Sequence, residues 1–437
     1  MIPAACRRLH SKRPPSLHRL YKKWGLRMTR SADGTPHVVI IDRAGFDRYR
    51  LPDGSPVVSS RDGRVSLLTG PPLVGQPRAG KCARILGYDI DDLPSTRAML
   101  RTLHAMTPID RLVCFPENLL ILAAEERERL GLPGPRADYV LPFRDKWEMK
   151  TLASAAGIPV ADWAAVERPA DVRPLLEKHG KVVVKPRGGT GSAGVHIVDG
   201  PERFAALPGD LAGSQAEQFI DAPMIHIDAV VSGRAVAAAR TSRYLDTTLA
   251  HVDRRPLRSV ISEDPALNAR AAGLLAAAVD AFSVVDGVLH LEAFATADGL
   301  VFNEVACRPG GAGVVPLMQA VTGHNLYEAM VRQALDEKPT ADYPITAGTG
   351  GWILLYADAG ILAGIDDAAV PSDWIVERRS AVPVGGSFTP TGRAGGSVVS
   401  YVVRADSEAQ AVERLEFIRD NVTVEVTGSP AAAGRLA

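Results

Sequence analysis

The residues best suited to chemistry begin in Lys181 to Val198, KVVVKPRGGTGSAGVHIV. Lys185 ends an apolar run of Val182, Val183 and Val184, and a loop with Gly188, Gly189, Gly191 and Gly194 follows. Without a Cβ, glycine lets backbone N–H groups come close to an anion, which suits a polyphosphate. A second set is acidic. In VLHLEAFATADGLVFNEVACRPGG, residues 288–311, Glu292 and Glu304 sit on either side of an Ala297-Asp298-Gly299 turn. Both stand among apolar neighbours (Leu289, Leu291 and Phe294; Val301, Phe302 and Val305), where an unpaired carboxylate is costly. Two carboxylates on paired strands can face one point and hold Mg²⁺, a hard cation that also takes phosphate oxygens.

The elements that must position these residues follow from pattern. β-branched runs on both sides of the glycine loop predict a hairpin. The literal G-x-G-x-x-G from Gly189 to Gly194 would need a helix at its last glycine to bind a dinucleotide, and a strand-like run (Val195, Ile197, Val198) follows instead. A Walker loop fails too, because Val195-His196 stands where Lys-Ser/Thr is required. The glycine cluster alone reads as a plain flexible hairpin. The acidic segments at 217–220 (EQFI) and 288–311 distinguish the two readings.

Taken together and in this order, these motifs resemble the ATP-grasp enzymes, in particular their carboxylate–amine ligase branch, over about Leu112 to Leu335. The resemblance implies ATP held between two α+β lobes, with Lys146 and Lys185 on phosphates and the glycine loop (Gly188, Gly189, Gly191, Gly194) closing over them. It places Glu217, Gln218, Phe219 and Ile220 along the adenine pocket and ribose edge. Glu292 and Glu304 would hold Mg²⁺, for which Mn²⁺ can substitute. Arg308 would meet the transferred phosphoryl group or a substrate carboxylate. His226 and Asp228 share a face of a predicted strand, Ile225 to Val231, and resemble the family's site-facing strand near ribose and phosphates. As lone residues they are equally well read as structural hydrogen bonders.

One position departs from the family. Ala306 stands where Asn usually follows the second metal glutamate. Strict strand alternation puts Glu304, Ala306 and Arg308 on one face and Asn303 and Cys307 on the other. On that reading Asn303 cannot replace the missing amide, a water or another side chain must complete the metal sphere, and Cys307 is a packed thiol rather than a nucleophile.

The 437 residues carry 50 basic and 50 acidic side chains, so nothing in the net charge points to nucleic acid or an acidic membrane surface. Cys6, Cys82, Cys114 and Cys307 lack metal or disulfide spacing, which fits a reducing cytoplasm. No apolar run approaches the roughly eighteen residues of a membrane helix. The basic N-terminus (Arg7, Arg8, Lys12, Arg13, Arg19, Lys22, Lys23) has no apolar core after it and reads as a solvated tail, not a secretory signal.

The expected fold class is α+β / α/β, an ATP-grasp fold with an N-terminal parallel-sheet domain and a small C-terminal α+β domain. The expected divisions are a tail over 1–35, a pre-ATP-grasp domain over 36–142, the ATP-grasp domain over 143–340 (small lobe about 158–216, large lobe about 217–340), and a C-terminal unit over 341–437. Strands are predicted at His37–Asp42, Val65–Thr69 and Leu112–Phe115, with a further fragment at 81–90. Helices are predicted over Glu117–Leu130, after an Asp145 N-cap, over Ala266–Phe282, and as one apolar segment from Val314 to Leu335. Ser407 and Gln410 have capping-box spacing for a helix over Glu408–Asp420. The segment 241–259, flanked by Arg240, Arg243, Arg254 and Arg255, is open between a substrate loop and a solvated one. The resemblance implies small-molecule carboxylate and amine substrates, an acyl phosphate, and release of ADP and phosphate, with a homodimer as a compatible assembly. A weaker C-terminal likeness to biotin carboxylase leaves a carboxyphosphate-forming enzyme as an alternative, and Ala306 leaves a non-catalytic ATP-binding protein as another.

Overall fold

A computed structural model describes residues 36–43, 64–70, 74 and 82–428. The basic tail expected over 1–35 lies outside these residues, as does most of 43–80. Among the described residues no helix is long and apolar enough to cross a membrane.

Strands β1 (His37–Ile41), β2 (Arg64–Thr69), β3 (Cys82–Gly87) and β4 (Arg111–Cys114) form a parallel sheet in the order β3-β2-β1-β4. The strands are largely apolar because both faces of the sheet are covered. Val39, Ile41 and Leu112 meet helices α1 (Leu93–Met106) and α2 (Leu120–Leu130). Val38, Ile40 and Val113 share a core with Met318, Leu326 and Tyr327 from much later in the chain. That second core, with Phe115 edge-on to Tyr327 at 4.8 Å, seats this sheet against the rest of the molecule.

Helix α3 (Lys146–Ala155) begins at the Asp145 cap, whose side chain accepts from Trp147 N and Glu148 N. A small antiparallel sheet follows, ordered β5-β8-β6-β7, from β5 (Trp163–Val166), β6 (Val182–Pro186), β7 (His196–Val198) and β8 (Ser214–Gln218). Its apolar face, including Val182, Val184 and Ala216, packs with Leu175 of α4 (Arg173–His179). The expected glycine hairpin is therefore β6–β7.

The largest sheet begins with β9 (Met224–Ser232), β10 (Ala235–Tyr244), β11 (Leu257–Ile261), β12 (Gly287–Thr296) and β13 (Gly299–Ala306). The chain continues through β14 (Thr349–Leu355), β15 (Gly360–Asp366), β16 (Ile375–Ser380), β17 (Ser387–Phe388), β18 (Val399–Ala405) and β19 (Thr423–Thr427). Eight of these form one sheet, β13-β12-β9-β10-β11-β14-β18-β16, so the sheet runs unbroken past residue 340. The other three pair as β17-β15-β19.

One face of the large sheet buries Ile225, Ile227, Leu289, Leu291 and Phe302 against α5 (Pro265–Ala281), with Met149 and Ala153 of α3 in the same core. The opposite face meets α6 (Val314–Thr322) and α7 (Leu326–Ala334). The single segment expected from Val314 to Leu335 is thus two helices. Gly323, at φ +71°, ends α6, and the Asn325 side chain caps α7 by accepting from Tyr327 N and Glu328 N. The C-terminal helix α8 (Glu408–Asn421) is capped by Ser407, which accepts from Gln410 N. The reciprocal half of the expected capping box is displaced: Gln410 accepts from Asp406 N at 2.9 Å, one residue early.

Candidate active site

Alternation along β6 sends Val182 and Val184 to the small-sheet core, while Val183 and Lys185 line a cavity of about 600 Å³. Across the cavity the large sheet offers Glu292, Phe294, Asn303 and Glu304, and α3 offers Lys146. The loop contributes Gly189 and Gly191, and β8 with its following turn contributes Glu217, Gln218, Phe219 and Ile220. These predicted residues therefore share one space. Gly188 and Gly194 belong to the same loop but do not line the cavity, and Gly188 O accepts from Arg144 at 2.7 Å. Residues 243–249 also line the cavity, which places part of the undecided segment 241–259 at the site.

The cations are already paired with carboxylates. Lys185 Nζ lies 2.8 Å from Glu217 Oε1, and Lys150 Nζ lies 3.2 Å from Glu217 Oε2. Burial raises the Glu217 pKa, but the two ammonium groups outweigh it and hold the carboxyl at about 2. Lys146 Nζ lies 3.1 Å from Glu304 Oε2 and donates to Gly189 O at 2.7 Å, bridging the large sheet and the glycine loop. Lys150 was missed from sequence. Its signal was its spacing, since one helical turn after Lys146 it faces the same way.

Glu292 and Glu304 are direct cross-strand partners. A register shift follows: Glu292 pairs Glu304, Ala293 pairs Phe302, and Asn303 is the extra residue. This bulge overturns the strict alternation expected for β13. Asn303 lines the cavity with Glu304, accepts from Lys185 Nζ at 3.3 Å and lies 3.5 Å from Glu292 Oε2 through its amide nitrogen. Glu292 Oε1 also accepts from Tyr244 at 2.8 Å. Two carboxylates and an amide oxygen on one wall are a hard oxygen set, and the neighbouring ammonium groups suit phosphate. The residues present therefore fit Mg²⁺, which Glu292, Glu304 and Asn303 would hold and which would supply charge neutralisation to a polyphosphate.

Arg308 is outside the cavity wall. Its guanidinium donates to Glu117, with Nε at 2.9 Å, and Arg144 pairs with the same carboxylate. Burial raises the Glu117 pKa, yet Arg308, Arg144 and Lys146 together bring it to about 2. Glu117 follows β4, so the parallel sheet contributes a charge that holds Arg308. Sequence reading missed Glu117 and Arg144, because nothing local marks a carboxylate whose partners lie 27 and 191 residues away.

His226 and Asp228 are corrected. Both are buried on the face under α6 and neither lines the cavity. Asp228 Oδ2 accepts from His226 Nδ1 at 2.6 Å and Oδ1 from His290 Nδ1 at 2.7 Å. His226 Nε2 is 2.8 Å from Ser259 Oγ, which itself donates to Arg243 O, so both ring nitrogens of His226 are engaged. Burial lowers the His290 pKa, but Asp228 outweighs it and lifts it to about 10. Cys307 borders the α5 core, and burial pushes its thiol up to about 11, so it stays protonated at neutral pH.

Residues 151–324 match the model of the ATP-grasp domain family. Over 279 residues the chain is 25% identical to an L-arginine-specific L-amino acid ligase from Bacillus subtilis, covering 61% of this chain and 68% of that one. It is 29% identical over 222 residues to a D-alanine–D-alanine ligase from Corynebacterium jeikeium strain K411, covering 44% and 57%. The solved structure of an L-amino acid ligase from Bacillus licheniformis superposes with a TM-score of 0.71 at 18% identity, over 90% of this chain and 99% of that one. Residues 151–324 thus carry an ATP-grasp domain, and the curated relatives that the chain resembles are ligases.

Proposed function

We propose that the protein joins a carboxylate to an amine, one of them from an amino acid, through an acyl phosphate. The observation that carries this reading is the convergence of Lys146, Lys185, Glu292 and Glu304 on one cavity roofed by glycines and edged by residues 217–220. ATP would lie there with its adenine toward Gln218, Phe219 and Ile220. Its phosphates would take over the ammonium groups now held by Glu217 and Glu304. Mg²⁺ at Glu292 and Glu304, with Asn303 beside them, would neutralise phosphate charge.

A substrate carboxylate oxygen attacks the γ-phosphorus and the bond to the β-bridging oxygen breaks, releasing ADP. The amine nitrogen then attacks the acyl carbon, phosphate leaves with the C–O electron pair, and the amine proton passes to phosphate or water. Arg308, held by Glu117, would steady the carboxylate and the acyl phosphate. Most of the rate enhancement in such a site comes from positioning and charge neutralisation. His226 is unsuited to a general-base role, because both of its ring nitrogens are engaged.

The test is a screen of amino-acid pairs for ATP-dependent phosphate release, with products identified by mass spectrometry. A dipeptide or other amide formed in step with ADP supports the reading. Bicarbonate-dependent ADP release without any amine would replace it with carboxyphosphate formation.

A further inference from the structure

Asp228 is fully enclosed, yet it keeps a carboxylate between two imidazoles. A buried ion of this kind costs desolvation free energy that a well-packed apolar group would not. The three side chains have ligating atoms close together, which invites a metal reading. The distances argue against one. The Asp228 oxygens stand 2.6 and 2.7 Å from the two Nδ1 atoms, whereas ligands bound at about 2.0–2.1 Å to a tetrahedral metal stand roughly 3.3 Å apart. The cluster is a hydrogen-bonded support.

What it supports can be followed outward. His290 lies two residues before Glu292 on β12, and its Nε2 is 3.5 Å from Glu292 Oε1. The His226 ring lies 5.0 Å from the ring of Tyr244, tilted by 50°, and Tyr244 donates to the same carboxylate. The loop after β13 rests on the cluster from the other side. A Cβ on Gly310 would stand 2.6 Å from Asp228 Oδ1 and 2.8 Å from His290 Nδ1, so only glycine fits at that point. Gly310 is two residues from Arg308, whose NH1 donates to Pro309 O. The expected metal carboxylate and the arginine loop therefore lean on one buried ion.

Resting on the ATP reading above, we propose that Asp228 is a positioning residue which, through His290 and Gly310, fixes Glu292 and the Arg308 loop relative to each other. It touches neither nucleotide nor substrate. Its effect appears in metal binding and in the step that needs Arg308, and it leaves the adenine pocket alone.

The test uses the full chain and Mn²⁺ as a spectroscopic probe. Mn²⁺ affinity is read by electron paramagnetic resonance with a non-hydrolysable ATP analogue present, and metal-free nucleotide affinity is read by calorimetry. In Asp228→Asn and His290→Gln, Mn²⁺ affinity is expected to fall about 10- to 100-fold, the usual consequence of removing a partner of a metal ligand. Nucleotide affinity without metal stays within about twofold of the wild type. Gly310→Ala, which adds one methyl group outside the cavity, is expected to weaken Mn²⁺ in the same direction and lower kcat with little change in KM for ATP. Leu415→Ala in the distant C-terminal core is the stability control, and is expected to lower Tm while leaving Mn²⁺ affinity unchanged.

Folded His290→Gln and Gly310→Ala proteins with wild-type Mn²⁺ affinity would overturn the proposal even if Asp228→Asn fails to fold. A matching Mn²⁺ loss in Leu415→Ala would overturn it as well, by reducing the effect to general destabilisation. A wild-type protein that binds neither nucleotide nor Mn²⁺ would overturn the reading of the cavity itself, a result distinct from either.

Discussion

The two walls of the cavity are built on different principles. The small-sheet wall is four strands under α4, and it meets the site with glycine backbone, Val183 and Lys185. Its buried acid, Glu217, is balanced by Lys185 of its own sheet and by Lys150 from α3. The large-sheet wall is eight strands covered on both faces, and it carries the acids Glu292 and Glu304 with a buried His–Asp–His cluster behind them. Glycine backbone and Lys185 with its paired acid Glu217 stand on one side, and Glu292, Asn303 and Glu304 on the other. The glycine loop is tied to the large sheet through Lys146, which donates to Gly189 O and pairs with Glu304. A triphosphate with its metal could take over both partners, so the lobes are held together by the groups that the ligand would use.

The largest effect is expected where the walls meet. Glu304→Ala or Lys185→Ala should cut ADP release on the order of 1000-fold, the scale for losing a main charge-stabilising group. Circular dichroism should stay near wild type for Glu304→Ala, because that side chain is a third exposed. Wild-type ADP release in either variant would dissolve the distinction between the walls.

Glu117→Gln tests the support behind Arg308. Leaving the buried Arg144 and the partly exposed Arg308 without their shared carboxylate should cost about 3 kcal/mol in urea unfolding. The pH dependence has a defined sign. The Glu117 and Glu217 pKa values fall from 4.5 to about 2 in the folded protein. Their stabilisation is full above pH 4.5 and is lost as pH falls toward 2. Stability should therefore drop more steeply with acid in the wild type than in Glu217→Gln over that window. Equal slopes in acid-titrated urea melts would show that these carboxylates are not held down by their cations.

A smaller effect is expected at the bulge. Asn303→Ala should weaken Mn²⁺ about 10-fold in the nucleotide complex while changing Tm little. Unchanged Mn²⁺ binding would remove Asn303 from the metal wall. Smallest of all, Asp145→Ala removes the α3 cap and its ion pair with Arg187, and should cost about 1 kcal/mol in thermal unfolding. A larger loss would make the cap a structural element of the site rather than a helix end.

Sequence alone settled whatever depends on local pattern. The glycine hairpin, the Lys185 terminus, the Asp145 cap and the two acidic strands were legible because turn chemistry and alternation are written in neighbouring residues. The parallel N-terminal strands were legible for the same reason. Three things needed the tertiary structure. The bulge at Asn303 brought that side chain to the cavity beside Glu304, because one extra residue in a ladder depends on the partner strand and not on the strand itself. Glu117 joined Arg308 through packing of one sheet against another. Asp228 passed from expected ligand contact to buried support because strand alternation says which residues share a face, while only packing decides whether that face meets a cavity or a helix.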